Sequence, residues 1–159
     1  MKTFSKPELN WSTPMREALS LAHQAAQRGE VPVGALVIDG KGQILARAHN
    51  MVEACYDASA HAEILALRQA AHHTRSARLT DCTLVVTLEP CVMCAAAISH
   101  FRLHRVVYGA YDPKGGGVDH GPRLFARPGC LHRPQEIISG LCEGDSATIL
   151  RQFFGERRL

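Results

Sequence analysis

The chain has 159 residues, 46% of them hydrophobic and 21% charged, with a formal net charge of +3. That length and apolar content suit one compact domain, residues 1–159, with a sizeable core, and leave little room for a second. The first fifteen residues hold no apolar run of the export type, and no stretch approaches the roughly 18 apolar residues of a membrane span, so a cytoplasmic protein with no membrane partner is expected.

In chain order, Thr13-Pro14 reads as a cap followed by proline at the first helical position, opening a helix over 13–28. Its apolar stripe is Met15, Ala18, Leu19, Ala22, Ala25 and Ala26, and Gly29 closes it. Val33 to Ile38 and Gln43 to Ala48 flank Asp39-Gly40-Lys41-Gly42, which predicts an antiparallel hairpin. A second helix fits 61–73, with Ile64, Leu65, Leu67 and Ala71 on its apolar face. Thr83 to Leu88 is a buried strand, a third helix starts near Pro90 and runs to about Ser99, and Arg105 to Ala110 is another strand. The glycine-rich run from Pro113 to Gly117 reads as a mobile loop. A short element near Arg123 to Ala126, a strand near Pro134 to Ile138 and a last helix from Asp145 to Arg157 complete the chain. Strands alternating with helices predict a layered α/β domain around one sheet.

Chemistry concentrates in two short strings, His61-Ala62-Glu63 and Pro90-Cys91-Val92-Met93-Cys94. One imidazole and two thiols suit zinc but fall one ligand short of a closed structural site, and the open corner is where a water belongs. Cys91 and Cys94 are three apart, so on a helix they share a face, and the positive end of that helix favours the thiolates that bind metal. His61 and Glu63, two apart, diverge inside a regular helix, so both are expected near its mouth, with Glu63 moving protons on and off the water. Taken singly the signals are weak: a lone Cys-x-x-Cys also serves redox exchange or half of a structural knuckle. Their coincidence, with no second Cys-x-x-Cys, favours hydrolytic zinc chemistry. With no export signal the six cysteines read as reduced thiols, and Cys55, Cys82, Cys130 and Cys142 as small core residues. His49, His72, His73, His100, His104, His120 and His132 have no partner at ligand spacing and read as surface or supporting groups.

With their H-x-E and P-C-x-x-C strings these residues resemble the zinc-dependent nucleoside and nucleobase deaminases, a family whose chemistry is known. Within that family the similarity is greatest to the bacterial tRNA-specific adenosine deaminases. It extends through Glu30 to Ala35, Asn50, Asp57 to Glu63, Thr87 to Cys91, Val107 to Ala110, Asp112 to Lys114, Phe153-Phe154 and Arg157-Arg158. The resemblance implies a cytidine deaminase-like fold, a three-layer α-β-α sandwich around one mixed sheet of about five strands. It implies one Zn2+ per chain on His61, Cys91 and Cys94, with Glu63 as the proton shuttle. Asn50 is then expected to hydrogen-bond the purine, the backbone of Ala62 and Leu88 to orient it, and Val33 to pack on its face. Asp112 and Lys114 are expected at sugar or phosphate of an anticodon loop, and Phe153 with the terminal arginines at flanking nucleotides.

The implied reaction is conversion of the wobble adenosine of a tRNA anticodon stem-loop to inosine, by a homodimer. Against it stand a deaminase of a free base or nucleoside such as guanine or cytidine, and a noncatalytic RNA-binding subunit of a deaminase dimer. Retention of Glu63 argues against the second of these. A plainer role for Asp112 is to cap a turn, and for Phe153 and Phe154 to anchor the last helix. Two departures from the family pattern are Ala58-Ser59 just before the H-A-E string and the absence of a long basic tail. Fewer tail cations mean fewer phosphate contacts and fewer counterions released on binding RNA.

Overall fold

The computed structural model describes residues 10–156. Five strands form one sheet in the order β2-β1-β3-β4-β5, in which β1 (Gly34–Ile38) pairs antiparallel with both β2 (Ile44–His49) and β3 (Thr83–Leu88). Parallel pairing continues from β3 to β4 (Arg105–Ala110) and on to β5 (Glu136–Ile138). The mixed five-strand sheet predicted from the family resemblance is thus present. Apolar residues run unbroken along the central strands because both faces are covered, the pattern of a sheet packed between two helical layers.

Alternation along the strands divides the core in two. Leu36, Ile38, Val85 and Val107 point to one face, where they pack with Met15, Ala18, Leu19 and Ala22 of α1 (Ser12–Gln27) and Ile149 of α5 (Glu143–Glu156). Ala35, Val37, Leu84, Val86, Val106 and Tyr108 point to the other, against Ala62, Ala66, Leu67 and Ala70 of α3 (Ala62–Thr74) and Ala95 and Ile98 of α4 (Val92–Phe101). Small residues let the layers close in. A methyl on Gly34 would lie 2.0 Å from the Ala18 carbonyl oxygen, so α1 rests directly on the backbone of β1.

Several boundaries differ from the sequence expectation. The first helix starts at Ser12 with Trp11 at the cap position, and Asn10 Oδ1 accepts the Ser12 N–H at 3.1 Å; Thr13 and Pro14 sit inside the first turn, where a proline removes no helical bond. Its far end is as expected, Gly29 adopting φ 77° while its N–H and that of Glu30 return to the Ala26 and Ala25 carbonyls. A short helix, α2 (Val52–Cys55), has no counterpart in the predicted elements, and Cys55 on it is exposed rather than packed. All six cysteines are free thiols. The hairpin forms at the predicted turn, with Asp39 Oδ1 accepting the Lys41 and Gln43 N–H groups. The last helix begins two residues before Asp145, and Arg157 and Arg158 lie outside the described residues. No helix among the described residues is long and apolar enough to cross a membrane.

Ser146, in the first turns of α5, presses its hydroxyl against the backbone of Gly109 in β4 and has no hydrogen-bond partner there. Burying an unpaired hydroxyl costs stability, and alanine is the better helix former. Ser146→Ala is therefore expected to stabilise the fold by about 0.5–1.5 kcal/mol, read as a higher denaturant midpoint at unchanged slope.

Candidate active site

The carboxyl ends of β3 and β4, the exit of β2 and the start of β1 lie along one edge of the sheet, and the strings singled out in the sequence meet there. His61 is the cap residue of α3, extended at φ −71° and ψ 150°, and Glu63 is the second residue of the helix proper. The reversal of backbone direction between them lets both side chains serve one cavity. Cys91 caps α4 in the same manner, at φ −70° and ψ 174°, and Cys94 is its third residue. Pro90 therefore precedes the cap instead of opening the helix, a shift of two residues that leaves Cys91 at the cap.

His61 Nδ1 lies 3.6 Å from Cys91 Sγ and 3.5 Å from Cys94 Sγ, and the three ligand atoms fall within 4.8 Å of one another. A tetrahedral zinc with bonds of about 2.3 Å to sulfur and 2.0 Å to nitrogen sets S and N about 3.5 Å apart. The donor set and its spacing fit the ion, with no fourth protein ligand among the described residues of the group. Within the trio, the hydrogen bond from Cys94 and the neighbouring imidazole pull the Cys91 thiol down to about 4. Hydrogen bonding to Cys91 and burial push the Cys94 thiol up, and the Cys91 sulfur also raises His61. The site thus holds protons that a cation displaces as it binds.

Glu63 is 4% exposed, and burial is the main cause that pushes its carboxyl up to about 7. A carboxyl so placed accepts and returns protons near neutrality. It opens on a cavity of about 730 Å³ together with His61, Cys91, Val33, Asn50, Leu88, Asp112, Phe153 and Phe154. Most of the sequence-predicted site residues are thereby brought together. Cys94 lies fully buried behind the cavity wall, and Lys114 lies outside the lining, its N–H turned to Asp112 Oδ1 at 3.2 Å. Asn50 is buried, and its Oδ1 accepts the Ala62 N–H at 2.8 Å, which orients the amide. The Ala62 N–H is thus directed to Asn50. Phe153 is 8% exposed and packs edge-on against Phe154, which is 47% exposed, so the anchor and the open aromatic surface are neighbouring residues.

Two buried acids, Glu30 and Glu89, lie in segments that carry the family resemblance but have no role expected from the sequence, and they build the rim. Glu30 accepts the Glu53 and Ala54 N–H groups at 2.9 and 3.0 Å and so caps α2 from outside. Glu89 accepts the N–H groups of Asp112, Val118, Asp119 and His120 and pairs with His120 Nδ1 at 2.7 Å. Burial works to raise the Glu89 acid; His120 and the backbone donors outweigh it and hold the carboxyl below its usual range.

These bonds correct the expectation of a mobile loop at 113–117. Gly116 donates to the Asp112 carbonyl, Gly117 donates to the Pro90 carbonyl at 2.8 Å, and Gly116 forms a β-bridge with Cys91. The glycines are there for close approach: a methyl on Gly116 would lie 2.3 Å from Glu89 Oε2. Asp112 does cap a turn, accepting from Lys114 and Gly115. A second cavity of about 640 Å³ lies beyond His120, lined by Tyr111, Arg123 and Phe125 among others, and contains none of the three metal-binding candidates.

Residues 10–110 match the family model described as the cytidine and deoxycytidylate deaminase zinc-binding region. A tRNA-specific adenosine deaminase of Agrobacterium fabrum (strain C58) is 51% identical over 146 residues, 91% of this chain and 94% of that protein. One from Rickettsia bellii is 46% identical over 145 residues, 91% of this chain and 99% of that protein. A solved structure from work on A-to-I editing by tRNA:A34 deaminases at the wobble position superposes with a TM-score of 0.84 at 47% identity, covering 87% of this chain and 99% of that one. With the His61, Cys91 and Cys94 trio and the fold in agreement, the chain belongs to the cytidine and deoxycytidylate deaminase family of zinc enzymes.

Proposed function

We propose that this protein hydrolytically deaminates adenosine to inosine at the wobble position of a tRNA anticodon loop. The observation that supports this best is the opening of Glu63, His61 and Cys91 on one cavity that also holds Asn50 and Leu88, with Asp112 and Phe154 at its rim. His61, Cys91 and Cys94 would hold the zinc, which when bound would supply Lewis acidity that lowers a water's pKa from 15.7 to about 7.

Glu63 takes the proton of that water and delivers it to N1 of the base as the water's oxygen adds to C6. It then carries the proton of the new hydroxyl to the amino nitrogen, the C6–N bond breaks, and ammonia leaves inosine behind. Asn50, its Oδ1 fixed by the Ala62 N–H, presents its Nδ2 to an acceptor on the purine. Val33 and Leu88 flank the base, which must be unstacked to enter. Asp112 and Lys114 meet the sugar-phosphate backbone, and Phe154, backed by the buried Phe153, packs against flanking nucleotides. The enzyme acts in the cytoplasm as a homodimer of single-domain chains of residues 1–159.

The test offers an anticodon stem-loop, adenosine, guanine and cytidine side by side to purified protein of known metal content. Zinc near one per chain and inosine from the stem-loop alone are expected, with loss of turnover on chelation and its return on adding zinc. Ammonia released from free guanine or cytidine overturns the assignment.

A further inference from the structure

Tyr56 is 97% exposed, more than any other large hydrophobic residue described, and its backbone is left-handed at φ 50°. A helix end such as that of α2 calls for one residue in this region, and glycine or asparagine takes it at the least steric cost. An aromatic ring gains nothing there from packing. The fold around it is nevertheless rigid. Glu30 caps α2, Met51 donates to the Ala60 carbonyl, Asp57 donates to the Val52 carbonyl, and Asp57 Oδ1 accepts from both the N–H and the hydroxyl of Ser59. Val52, Glu53 and Ala58, on either side of Tyr56 in sequence, line the catalytic cavity. A strained, solvated aromatic on a braced segment whose neighbouring residues line the cavity is an outlier that the fold does not require.

From this we infer that Tyr56 is a stacking platform for an unpaired nucleotide next to the one whose base enters the cavity, an inference that rests on the reaction proposed above. A base drawn out of its stack leaves its neighbours without a partner on one side. An exposed ring on a segment already immobilised by Glu30 and Asp57 replaces that partner with little loss of conformational freedom on binding. Phe154, 47% exposed in α5, lines that cavity and offers an aromatic surface from a separate element, while Tyr56 stands on the segment whose Val52, Glu53 and Ala58 line it. Tyr56 is thus a residue that sets affinity for the strand and takes no part in proton transfer.

The test compares wild type with Tyr56→Ala, Tyr56→Phe and Tyr56→Gly on the anticodon stem-loop, with 2-aminopurine placed immediately 5′ or 3′ of the target adenosine in separate oligonucleotides. Tyr56→Ala should raise KM about tenfold and leave kcat within about twofold, the range expected for loss of one base–aromatic stack. Tyr56→Phe should restore the wild-type KM, since the ring and not the hydroxyl stacks. Tyr56→Gly should melt above wild type, because glycine relieves the left-handed backbone, while sharing the raised KM, a combination that a structural role for the ring does not produce. At one of the two positions the 2-aminopurine fluorescence should be quenched by wild type and Tyr56→Phe but not by Tyr56→Ala. An unchanged KM in Tyr56→Ala overturns the inference, as does a change of oligomeric state, which would make the ring a protein–protein contact. Wild type inactive on the stem-loop overturns the proposed reaction and this role with it; active wild type with an unaffected Tyr56→Ala overturns the role alone.

Discussion

Glu63→Ala is expected to bind zinc and the anticodon stem-loop as wild type does and to lose turnover by roughly 10³-fold or more, at the upper end of what one positioned acid–base group contributes. The carboxyl stands at the second residue of α3, buried and facing the same cavity as the ligand trio, where bulk water cannot take its place as a proton carrier. Each half of the reaction needs a proton moved in a different direction, so one residue's removal stalls both. Glutamine tests the same point without changing volume, since an amide accepts a hydrogen bond but does not pass on a proton. The fold should not suffer, because a desolvated carboxyl is a stability cost that catalytic sites retain for function, and the variant should melt at or above the wild-type temperature. Zinc content, stem-loop affinity and single-turnover rate are the three measurements. Near-normal turnover with full zinc would remove Glu63 from the mechanism.

The strands and the large helices were legible because their signal is local. Apolar runs at 83–88 and 105–110 and the periodic stripe beginning at Met15 each report burial by residues within one element. The ligand trio was legible because zinc restricts residue type and spacing so tightly. What escaped depends on contacts between segments far apart in sequence. Glycine-rich 113–117 looks mobile on its own, and it is fixed by a carboxylate more than twenty residues earlier, at Glu89. Helix α2 is four residues long, too short for a periodic pattern, and exists because Glu30 supplies the cap that its own sequence lacks. Cys91 and His61 came out as cap residues, each one position outside the helix, and an offset of one or two residues is below what propensity resolves. The division of labour between Phe153 and Phe154 follows from how α5 is rotated against the sheet, which its sequence alone does not specify.

Glu89→Gln is expected to be the most damaging change outside the metal ligands and Glu63. Five donors converge on this carboxylate: Oε1 takes the Asp112 N–H and the His120 imidazole, and Oε2 takes the N–H groups of Val118, Asp119 and His120. Every partner on that list donates, so the site requires acceptors on both arms. Glutamine keeps one oxygen and turns an NH2 toward donors, which leaves one N–H group unsatisfied where the His120 ring switches tautomer to accept from the NH2, and two where it does not. At about 1–3 kcal/mol for each orphaned group the expected loss is about 1–6 kcal/mol. The damage should be local before it is global, because these bonds hold residues 112–120 against the metal loop, where Gly117 reaches the Pro90 carbonyl and Gly116 bridges to Cys91. Amide exchange at 116–120 should accelerate well beyond that of α3, and KM for the stem-loop should rise as Asp112 leaves the rim. His120→Asn, whose amide nitrogen reproduces the Nδ1 donor, should retain most of the protection that His120→Ala loses. Wild-type exchange and melting temperature in Glu89→Gln would mean that the glycine-rich segment is held by its own turns, since the Asp112 cap on Lys114 and Gly115 would then suffice without the buried carboxylate.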